Sequence, residues 1–381
     1  MSLSVLVKPA GPDCNLACTY CFYKPLLHTI FADAPRHRMS LETFELFVRQ
    51  FMPLAGPIAN FAWQGGEPTL MGLPFFERAF EIERAHTMPR QRITNALQTN
   101  GTLVTKAWGK FLHDHGVLVG LSLDGPRDIH DAARMTEANT PTFDRVLRAA
   151  EMLKRSRAEF NILVVLSERS AGRAAEIDDF LSRHGFNHVQ YIPVVEYDIT
   201  TGEVAEYSIT PNGYGDFLCE LFDRWAADWP PRRFIREFDE WLMVYAGYPP
   251  PTCIIAERCG GYVVLEHNGD VYCCDFAVEP GWCLGNIHET PLVEMVGSER
   301  FRAFSARHAE LPQQCRECRY RPLCNGGCPQ HRVRAHGTHV APTYFCAGLR
   351  RFFAHSERRF RGMARRAQQL SSGTQPVPRF R

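Results

Sequence analysis

Cys14-Asn15-Leu16-Ala17-Cys18-Thr19-Tyr20-Cys21 is the stretch that decides how this chain is interpreted, and it follows the apolar segment Leu3–Lys8. Its three thiols, spaced by three and then two residues, can hold three irons of a [4Fe–4S] cube and leave the fourth iron open to a ligand. A structural zinc site would need a fourth protein ligand, and His28 fits that geometry poorly. The spacing therefore favours a cluster with an open position over a zinc knuckle or a chance group of cysteines.

The composition indicates where such a protein would work. The chain has 381 residues with 43 basic and 42 acidic side chains, and its net charge of +1 argues against a nucleic-acid partner. Apolar residues make up 45%, which excludes disorder, and no apolar run approaches the length of a membrane helix. Because the N-terminus lacks the features of a signal peptide, we expect a cytoplasmic location and no membrane partner. The 14 cysteines of a reduced protein are then expected to bind metal.

Strand and helix patterns alternate about six times through the first half of the chain. The predicted strands are Leu3–Lys8, Asn60–Trp63, Thr94–Gln98, Val117–Leu123, Phe160–Leu166 and Val189–Pro193. The predicted helices begin after Ser40 and also cover Phe75–His86, Lys106–His115, Phe143–Arg155 and Ala174–His184. This alternation predicts an α/β fold of parallel βα units, whose site lies at the carboxyl ends of the strands. Polar or glycine-rich clusters indeed follow three strands, at residues 64–68, 99–101 and 124–126.

Changes in composition predict four segments. Residues 1–230 would form the α/β barrel, and residues 231–252 a bridging segment with a helix over Phe234–Ala246. Residues 253–348 form a cysteine-rich domain, and residues 349–381 a basic helix and tail. From Arg350 the chain carries nine arginines and one glutamate. A nucleic-acid arm is one interpretation of that charge, and a solvated helix that frays near Ser371–Gly373 is the one that we favour.

The cysteine stretch, with the aromatic Tyr20 before its last thiol, resembles the radical S-adenosylmethionine (SAM) superfamily. Gly65-Gly66-Glu67-Pro68, after the second predicted strand, matches that superfamily's GGEP motif. The resemblance covers about residues 1–200 and implies a partial (β/α)6 barrel, with SAM bound at the open iron of the first cluster.

The C-terminal cysteines resemble the SPASM extension of that superfamily, a small cysteine-rich iron–sulfur domain that follows the barrel. The family's connectivity implies two auxiliary [4Fe–4S] clusters, one held by Cys253, Cys259, Cys274 and Cys328, the other by Cys315, Cys318, Cys324 and Cys346. With the first cluster this makes three, and it leaves Cys219, Cys273 and Cys283 as ordinary thiols. A zinc ribbon over Cys315–Cys328 is the alternative, and it leaves the upstream cysteines unexplained.

Within the SPASM proteins, the chain resembles the anaerobic sulfatase-maturating enzymes over about residues 3–355. The segments that carry this likeness are residues 190–196, 207–211, 266–272 and 274–275, and Leu323–Pro329. The resemblance implies a radical SAM oxidoreductase that converts a Cys or Ser to Cα-formylglycine. Its partners would be an unfolded sulfatase segment of the Cys/Ser-x-Pro-x-Arg type and an electron donor such as flavodoxin or ferredoxin.

The resemblance also implies roles for single residues. Those matching the family's SAM site are Tyr20, Gly65, Gly66, Glu67, Asn100, Ser122 and Arg134. Asp275 matches the base that deprotonates the target thiol or hydroxyl, and Gln64 and Tyr23 are candidate peptide contacts. Each has a structural alternative: a strand-end turn for the glycines and Asn100, a surface cation for Arg134, a turn cap for Asp275 and packing for Tyr20.

Two other functions compete with this one. A SPASM maturase of another ribosomal peptide would make a thioether, a C–C crosslink or an epimer. Such proteins often carry an N-terminal peptide-recognition domain, and here the motif begins at residue 14, which favours sulfatase maturation. An electron-transfer protein would explain the clusters but not an open three-cysteine site beside GGEP.

Overall fold

The computed structural model describes residues 3–197 and 201–372, apart from the side chains at 333–336 and 370–372. The described strands are β1 Ser4–Lys8, β2 Ile58–Trp63, β3 Arg92–Thr99, β4 Leu118–Ser122, β5 Phe160–Leu166, β6 His188–Pro193, β7 Phe234–Ile235, β8 Tyr262–Glu266, β9 Asp270–Tyr272 and β10 Cys283–Asn286. Short 3-10 turns cover Lys24–His28, Pro68–Met71, Glu168–Ser170 and Pro280–Trp282.

The α-helices of the described chain run from α1 to α14, and α1 shows why they form. They are α1 Leu41–Phe51, α2 Leu73–Ala85, α3 Lys106–Asp114, α4 Arg127–Ala133, α5 Phe143–Ser156, α6 Ala174–Arg183, α7 Pro211–Trp225, α8 Arg236–Tyr245, α9 Leu292–Gly297, α10 Glu299–Ala306, α11 Gln313–Arg316, α12 Arg321–Cys324, α13 Pro329–His336 and α14 Cys346–Ser372. In α1 the side chain of Ser40 accepts a hydrogen bond from the backbone N–H of Thr43, and Phe44, Phe47 and Phe51 form one buried face.

None of the described helices is both long enough and apolar enough to cross a bilayer.

The chain divides into two compact units. The first contains residues 1–123, 127–163 and 260–306, and its strands are ordered β10-β9-β8-β1-β2-β3-β4-β5. Strands β1 to β5 pair in parallel, which confirms the predicted βα units. β8 also pairs in parallel with β1 over five residues, from Ser4 opposite Tyr262 to Lys8 opposite Glu266. β9 and β10 continue antiparallel.

The second unit contains residues 124–126, 164–259 and 307–381. It holds the end of β5, then β6 and β7, and the helices α6 to α8 and α11 to α14. Phe234 and Ile235, which the sequence assigned to the bridging helix, pair with β6 instead, so that α8 begins only at Arg236. Helix α14 reaches Ser372, and the fraying expected near Ser371–Gly373 concerns residues that lie partly outside the described ones.

These units do not follow the four segments expected from composition. Residues 260–306 belong with the N-terminal strands because β8 is hydrogen-bonded to β1. The pairing thus joins strands from the predicted segments 1–230 and 253–348 in one sheet, and the four segment boundaries stay predictions.

Candidate active site

The loop after β1 places Cys14, Cys18 and Cys21 in partly buried positions. Two of these sulfurs accept backbone N–H groups, Cys14 from Leu16 at 3.4 Å and Cys21 from Lys24 at 3.3 Å. Burial, the nearby Glu67 carboxylate and the two other thiols raise the pKa of Cys14 to about 12. The three thiols are close enough to oppose each other's ionisation, and N–H donors are directed at two of them. This arrangement fits an iron–sulfur cluster, whose irons bind the thiols as deprotonated thiolates.

Metal ions bound singly would need a different arrangement. Among the described residues, no group of three or more His, Cys, Asp or Glu side chains converges on one point. A cube binds each thiolate to a separate iron, so its ligands stand around a volume and do not converge. Binding of a cluster by this three-cysteine loop stays a prediction.

Gly65 and Gly66 allow the loop after β2 to approach the cysteine loop. Gly66 N–H donates to Gly11 O at 2.8 Å and Glu67 N–H to Asp13 O at 2.8 Å. A Cβ on Gly66 would lie 1.9 Å from the Asp13 carbonyl oxygen, and one on Gly65, at a φ of +129°, would lie 2.9 Å from Gly11 O. Only glycine fits this contact between the two motifs.

Glu67 is fully buried and ties the ends of two strands together. Its Oε1 accepts from Thr69 N–H at 3.0 Å, Thr69 Oγ1 at 2.6 Å and Thr99 Oγ1 at 2.8 Å, while Oε2 accepts from Asn100 N–H at 2.7 Å. Burial raises the pKa of this carboxyl, and these donors lower it. Glu67, one of the residues that match the family's SAM site, therefore fixes the position of Asn100.

Asn100 holds the cysteine loop from the side of β3. Its Nδ2 donates to Asn15 Oδ1 at 2.9 Å and lies 3.8 Å from Cys14 Sγ, while its Oδ1 accepts from Thr102 N–H at 2.9 Å. This predicted SAM residue is thus brought within reach of the first cysteine.

Tyr20 and Arg134, predicted from separate parts of the sequence, are also brought together. The guanidinium carbon of Arg134 lies 5.4 Å from the centre of the Tyr20 ring, and both side chains are buried. Backbone hydrogen bonds from Ala17 to Met135 and from Thr19 to Ala133 hold the segment around Arg134 against the cysteine loop. Ser122 is buried at the carboxyl end of β4, as expected for a residue of the site edge.

Asp275 follows Cys274 in the same unit as the first cysteines, and only 9% of its surface is exposed. Tyr262 OH donates to Asp275 Oδ1 at 2.7 Å and lies 3.1 Å from Cys274 Sγ. Cys274 Sγ also donates to Oδ1, at 3.6 Å. Both donors meet the same oxygen, and a carboxylate with two oxygens keeps further lone pairs to accept a proton, as a base requires. Sequence reasoning missed Tyr262, although its place at the start of an apolar strand was a signal.

The candidate peptide contacts differ in position. Gln64 is half-buried, and its backbone N–H donates to Val7 O at 3.0 Å. Tyr23 is 2% exposed, and its hydroxyl donates to both oxygens of Glu266, at 2.9 and 2.7 Å. Lys8 Nζ lies 3.6 Å from the centre of the Tyr23 ring. Peptide contact by Tyr23 stays a prediction, and the described geometry gives this residue a place in the core.

Lys8 and Glu266 are charged residues that sequence reasoning missed. Both are fully buried at the carboxyl ends of the paired strands β1 and β8. The signal was a charged residue at the end of an apolar strand, since a lysine or glutamate is almost never fully buried unless it is paired.

In the second unit Cys315, Cys318, Cys324 and Cys346 form one electrostatic group. Burial raises the pKa of Cys324 to about 12, helped by the charges of Cys346 and Cys315, and burial with Cys346 and Cys318 raises the pKa of Cys315. These four thiols are the ones that the SPASM resemblance assigns to one cluster.

Cys253, Cys259 and Cys328 form another group of thiols in this unit. Burial raises the pKa of Cys259 to about 12, and the charges of Cys328 and Cys253 add to that shift. They are three of the four thiols assigned to the other auxiliary cluster, and the fourth, Cys274, lies in the first unit.

Comparison with known proteins agrees with this geometry. A family model of the radical SAM superfamily matches residues 9–181, and a model of the SPASM iron–sulfur cluster-binding domain matches residues 253–319. The serine-type anaerobic sulfatase-maturating enzyme of Bacteroides thetaiotaomicron is 35% identical over 93% of this chain and 89% of its own. The chain belongs to the anaerobic sulfatase-maturating enzyme family. The cysteine-type enzyme of Clostridium perfringens is 36% identical over 93% of this chain and 96% of its own.

Solved structures extend the family relationship to the fold. The structure of native anSMEcpe with bound AdoMet and the Cp18Cys peptide matches with a TM-score of 0.88 and 34% identity, covering 96% of this chain and all of that one. The match confirms the radical SAM fold with its SPASM domain. Streptococcus suis SuiB bound to S-adenosylmethionine matches with a TM-score of 0.62 at 16% identity, over 91% of this chain and 77% of that one, which shows a shared fold alone.

Proposed function

We propose that this protein oxidises a Cys or Ser side chain of a sulfatase peptide to Cα-formylglycine, as a radical SAM oxidoreductase. The observation that carries the proposal is the match along nearly the whole chain to both serine-type and cysteine-type sulfatase-maturating enzymes. The peptide complex of anSMEcpe, which shares the fold at 34% identity, supports a peptide substrate.

The residues of the cysteine loop fit the first cofactor. Cys14, Cys18 and Cys21 would hold three irons, leaving the fourth for SAM. When bound, the cluster and SAM together supply a 5′-deoxyadenosyl radical that removes a hydrogen atom from the substrate Cβ. The protein's part is to place SAM and the peptide and to keep water away.

The SAM-binding wall would be built from residues of several strand ends. Arg134 can pair with the SAM carboxylate through two N–H donors, and Tyr20 beneath its guanidinium keeps that group in one orientation. Ser122 and the half-buried backbone at Gly65 and Gly66 would line the same edge. Glu67, which is itself fully buried, would act by positioning Asn100 through a 2.7 Å hydrogen bond.

Asp275 would remove the proton from the target thiol or hydroxyl. Its carboxylate is held by Tyr262, so that an oxygen can face the substrate without losing its orientation. After the hydrogen atom and the proton have left, an electron must leave the substrate carbon. A Ser side chain then becomes the aldehyde directly, whereas a Cys side chain becomes a thioaldehyde that water hydrolyses to the aldehyde with release of H2S. The eight cysteines of the two auxiliary sets would hold the clusters that receive it, since clusters ligated wholly by protein offer no open iron.

The partners would be a sulfatase segment of the Cys/Ser-x-Pro-x-Arg type, contacted by Gln64, and a low-potential carrier such as flavodoxin or ferredoxin. A cytoplasmic location, where a sulfatase chain is still unfolded, is part of the same proposal.

The deciding experiment is anaerobic turnover of reconstituted protein with SAM, a reductant and matched Cys and Ser peptides. Mass spectrometry with a hydrazine reagent would detect an aldehyde on either peptide, and the ratio of rates would give the preferred residue. Cys18→Ala should abolish deoxyadenosine formation, whereas Asp275→Asn should keep it and lose the aldehyde. Deoxyadenosine from the unaltered protein without aldehyde on either peptide would contradict the proposal and favour another peptide modification.

A further inference from the structure

Arg332, on α13, is the largest charged side chain that the structure buries completely. Its guanidinium donates to the backbone carbonyls of Asn325 at 2.8 Å, Gly326 at 2.9 Å and Gly327 at 2.8 Å. It also donates to three further carbonyls at 3.2 to 3.5 Å, those of His308, Glu310 and His339. All six acceptors are neutral, so the positive charge is solvated by dipoles and is not cancelled by them.

The loop that binds this guanidinium connects two cysteines of different proposed clusters, Cys324 and Cys328. Its three residues all have left-handed backbones, with φ of +44° at Asn325, +80° at Gly326 and +67° at Gly327. A Cβ on Gly326 would lie 2.7 Å from Nη2 of Arg332. This conformation directs three successive carbonyls at the Arg332 side chain. A loop that only connected two cysteines would not need three consecutive left-handed residues.

The thiols around Arg332 belong to both auxiliary sets. Burial lowers the pKa of the Arg332 guanidinium, and the charges of Cys324, Cys315, Cys328 and Cys259 raise it. Cys324 and Cys315 are assigned to one cluster, and Cys328 and Cys259 to the other. A guanidinium remains protonated in proteins, so two thiols of each set interact with the same permanent positive charge.

We propose that Arg332 is a fixed positive charge shared by the two auxiliary clusters and that it raises the reduction potentials of both. This inference rests on the proposed cluster ligands and goes beyond them. Adding an electron makes a cluster more negative, and a buried cation beside it stabilises that reduced state. Clusters that accept an electron from the substrate must be readily reduced. A positive charge shared by the two auxiliary clusters would raise both of their reduction potentials together.

Arg307 provides a matched comparison within the same unit. It is 9% exposed, and it acts with Arg332 to lower the pKa of Cys259. The charge of Arg332 also lowers the pKa values of Cys315 and Cys324, which belong to the other assigned set. Removing the charge of Arg307 is therefore expected to affect one cluster, whereas removing that of Arg332 should affect both.

The test is EPR-monitored potentiometric titration in a Cys14→Ala, Cys18→Ala, Cys21→Ala background, which keeps the auxiliary clusters and lacks the first. We expect Arg332→Gln to lower both midpoint potentials and Arg307→Gln to lower one. Unchanged potentials in Arg332→Gln, or a shift in one cluster only, would overturn the inference. The readout needs no SAM and no peptide, so it stands apart from the test of sulfatase maturation.

Arg332→Lys separates charge from packing. It keeps the cation while losing most of the carbonyl contacts, so both potentials should remain at their original values. If Arg332→Gln fails to retain iron, the neutral variant Arg332→Met takes its place: lowered potentials of both clusters support the charge role, and unchanged potentials contradict it. An iron count near zero in the background protein itself would overturn both the cluster ligands and the role of Arg332.

Discussion

The hydroxyl of Tyr262 donates a 2.7 Å hydrogen bond to Oδ1 of Asp275. Tyr262 is the first residue of β8, where it pairs with Ser4 of β1, and so the sheet fixes the position of the donor. The same hydroxyl lies 3.1 Å from Cys274 Sγ. Tyr262 thereby links the orientation of the proposed base to a strand beside the cysteine loop, and we assign it a positioning role.

Tyr262→Phe should therefore impair formylglycine formation while SAM cleavage continues. A hydrogen bond to a charged acceptor contributes about 1.5–3 kcal/mol, so we expect the aldehyde yield per deoxyadenosine to fall by about 10- to 100-fold. Mass spectrometry and deoxyadenosine quantification measure that ratio directly. Tyr245→Phe is the control, because the Tyr245 hydroxyl is buried without a partner among the described residues. Equal ratios in the two variants would remove Tyr262 from this role.

The stacking of Arg134 on Tyr20 predicts a defect in SAM binding. Tyr20→Leu removes the ring beneath the guanidinium at 5.4 Å. A cation–π contact of about 1–2 kcal/mol then corresponds to about a 5- to 30-fold rise in the SAM dissociation constant. Tyr20→Phe keeps the ring and should bind SAM nearly as the original protein does. Equilibrium dialysis of both variants tests this, and equal weakening by the two changes would show that the hydroxyl, not the ring, matters.

Gly66→Ala should destroy the first cluster and spare the auxiliary ones. The new Cβ would lie 1.9 Å from Asp13 O, so the cysteine loop has to move. Iron is then expected to fall from about twelve to about eight atoms per chain, since one [4Fe–4S] site of three is lost. Gly261→Ala is the matched control because a Cβ there meets nothing within 4 Å. Full iron in Gly66→Ala would mean that the loop tolerates the displacement.

The parts of the site that the sequence predicted are those whose chemistry is local. Cys14, Cys18 and Cys21 lie within one loop, and the glycine pair before Glu67 belongs to a short continuous motif that resembles the superfamily's GGEP motif. Tyr262 and Arg332 could not be found in this way, because their roles depend on contacts set by the fold. Tyr262 is held in place by the pairing of β8 with β1. Arg332 is held by backbone carbonyls that converge only when their loop adopts left-handed conformations.

The fold shows the same division between local and distant information. The strand β5 occupies the predicted residues Phe160–Leu166, because its apolar run is complete in itself. The pairing of β8 with β1 joins residues about 258 positions apart, and no periodicity within either strand specifies its partner. This pairing is also what places Asp275 in the unit of the first cysteines.

Glu83 gives a prediction about stability that is independent of the cofactors. It is 1% exposed on α2, where Oε2 accepts from Asn95 Nδ2 at 2.7 Å and Oε1 has no partner among the described residues. Burial raises the pKa of this carboxyl from 4.5 to about 8, against the smaller opposing effect of Asn95. The folded protein thus keeps Glu83 protonated over a range in which the unfolded chain releases the proton.

The free energy of unfolding should therefore decrease as pH rises between 4.5 and about 8, by about 1.4 kcal/mol per pH unit from this group. Its stabilising contribution is complete below pH 4.5, where both states hold the proton, and is lost once the folded carboxyl ionises. Glu83→Gln stays neutral at every pH and should unfold at higher denaturant concentration than the original protein at pH 8.5, with little difference at pH 5. Glu77→Gln, an exposed change on the same helix, should show the pH dependence of the original protein. Parallel curves for all three proteins in anaerobic urea titrations would place the ionisation of Glu83 outside this range.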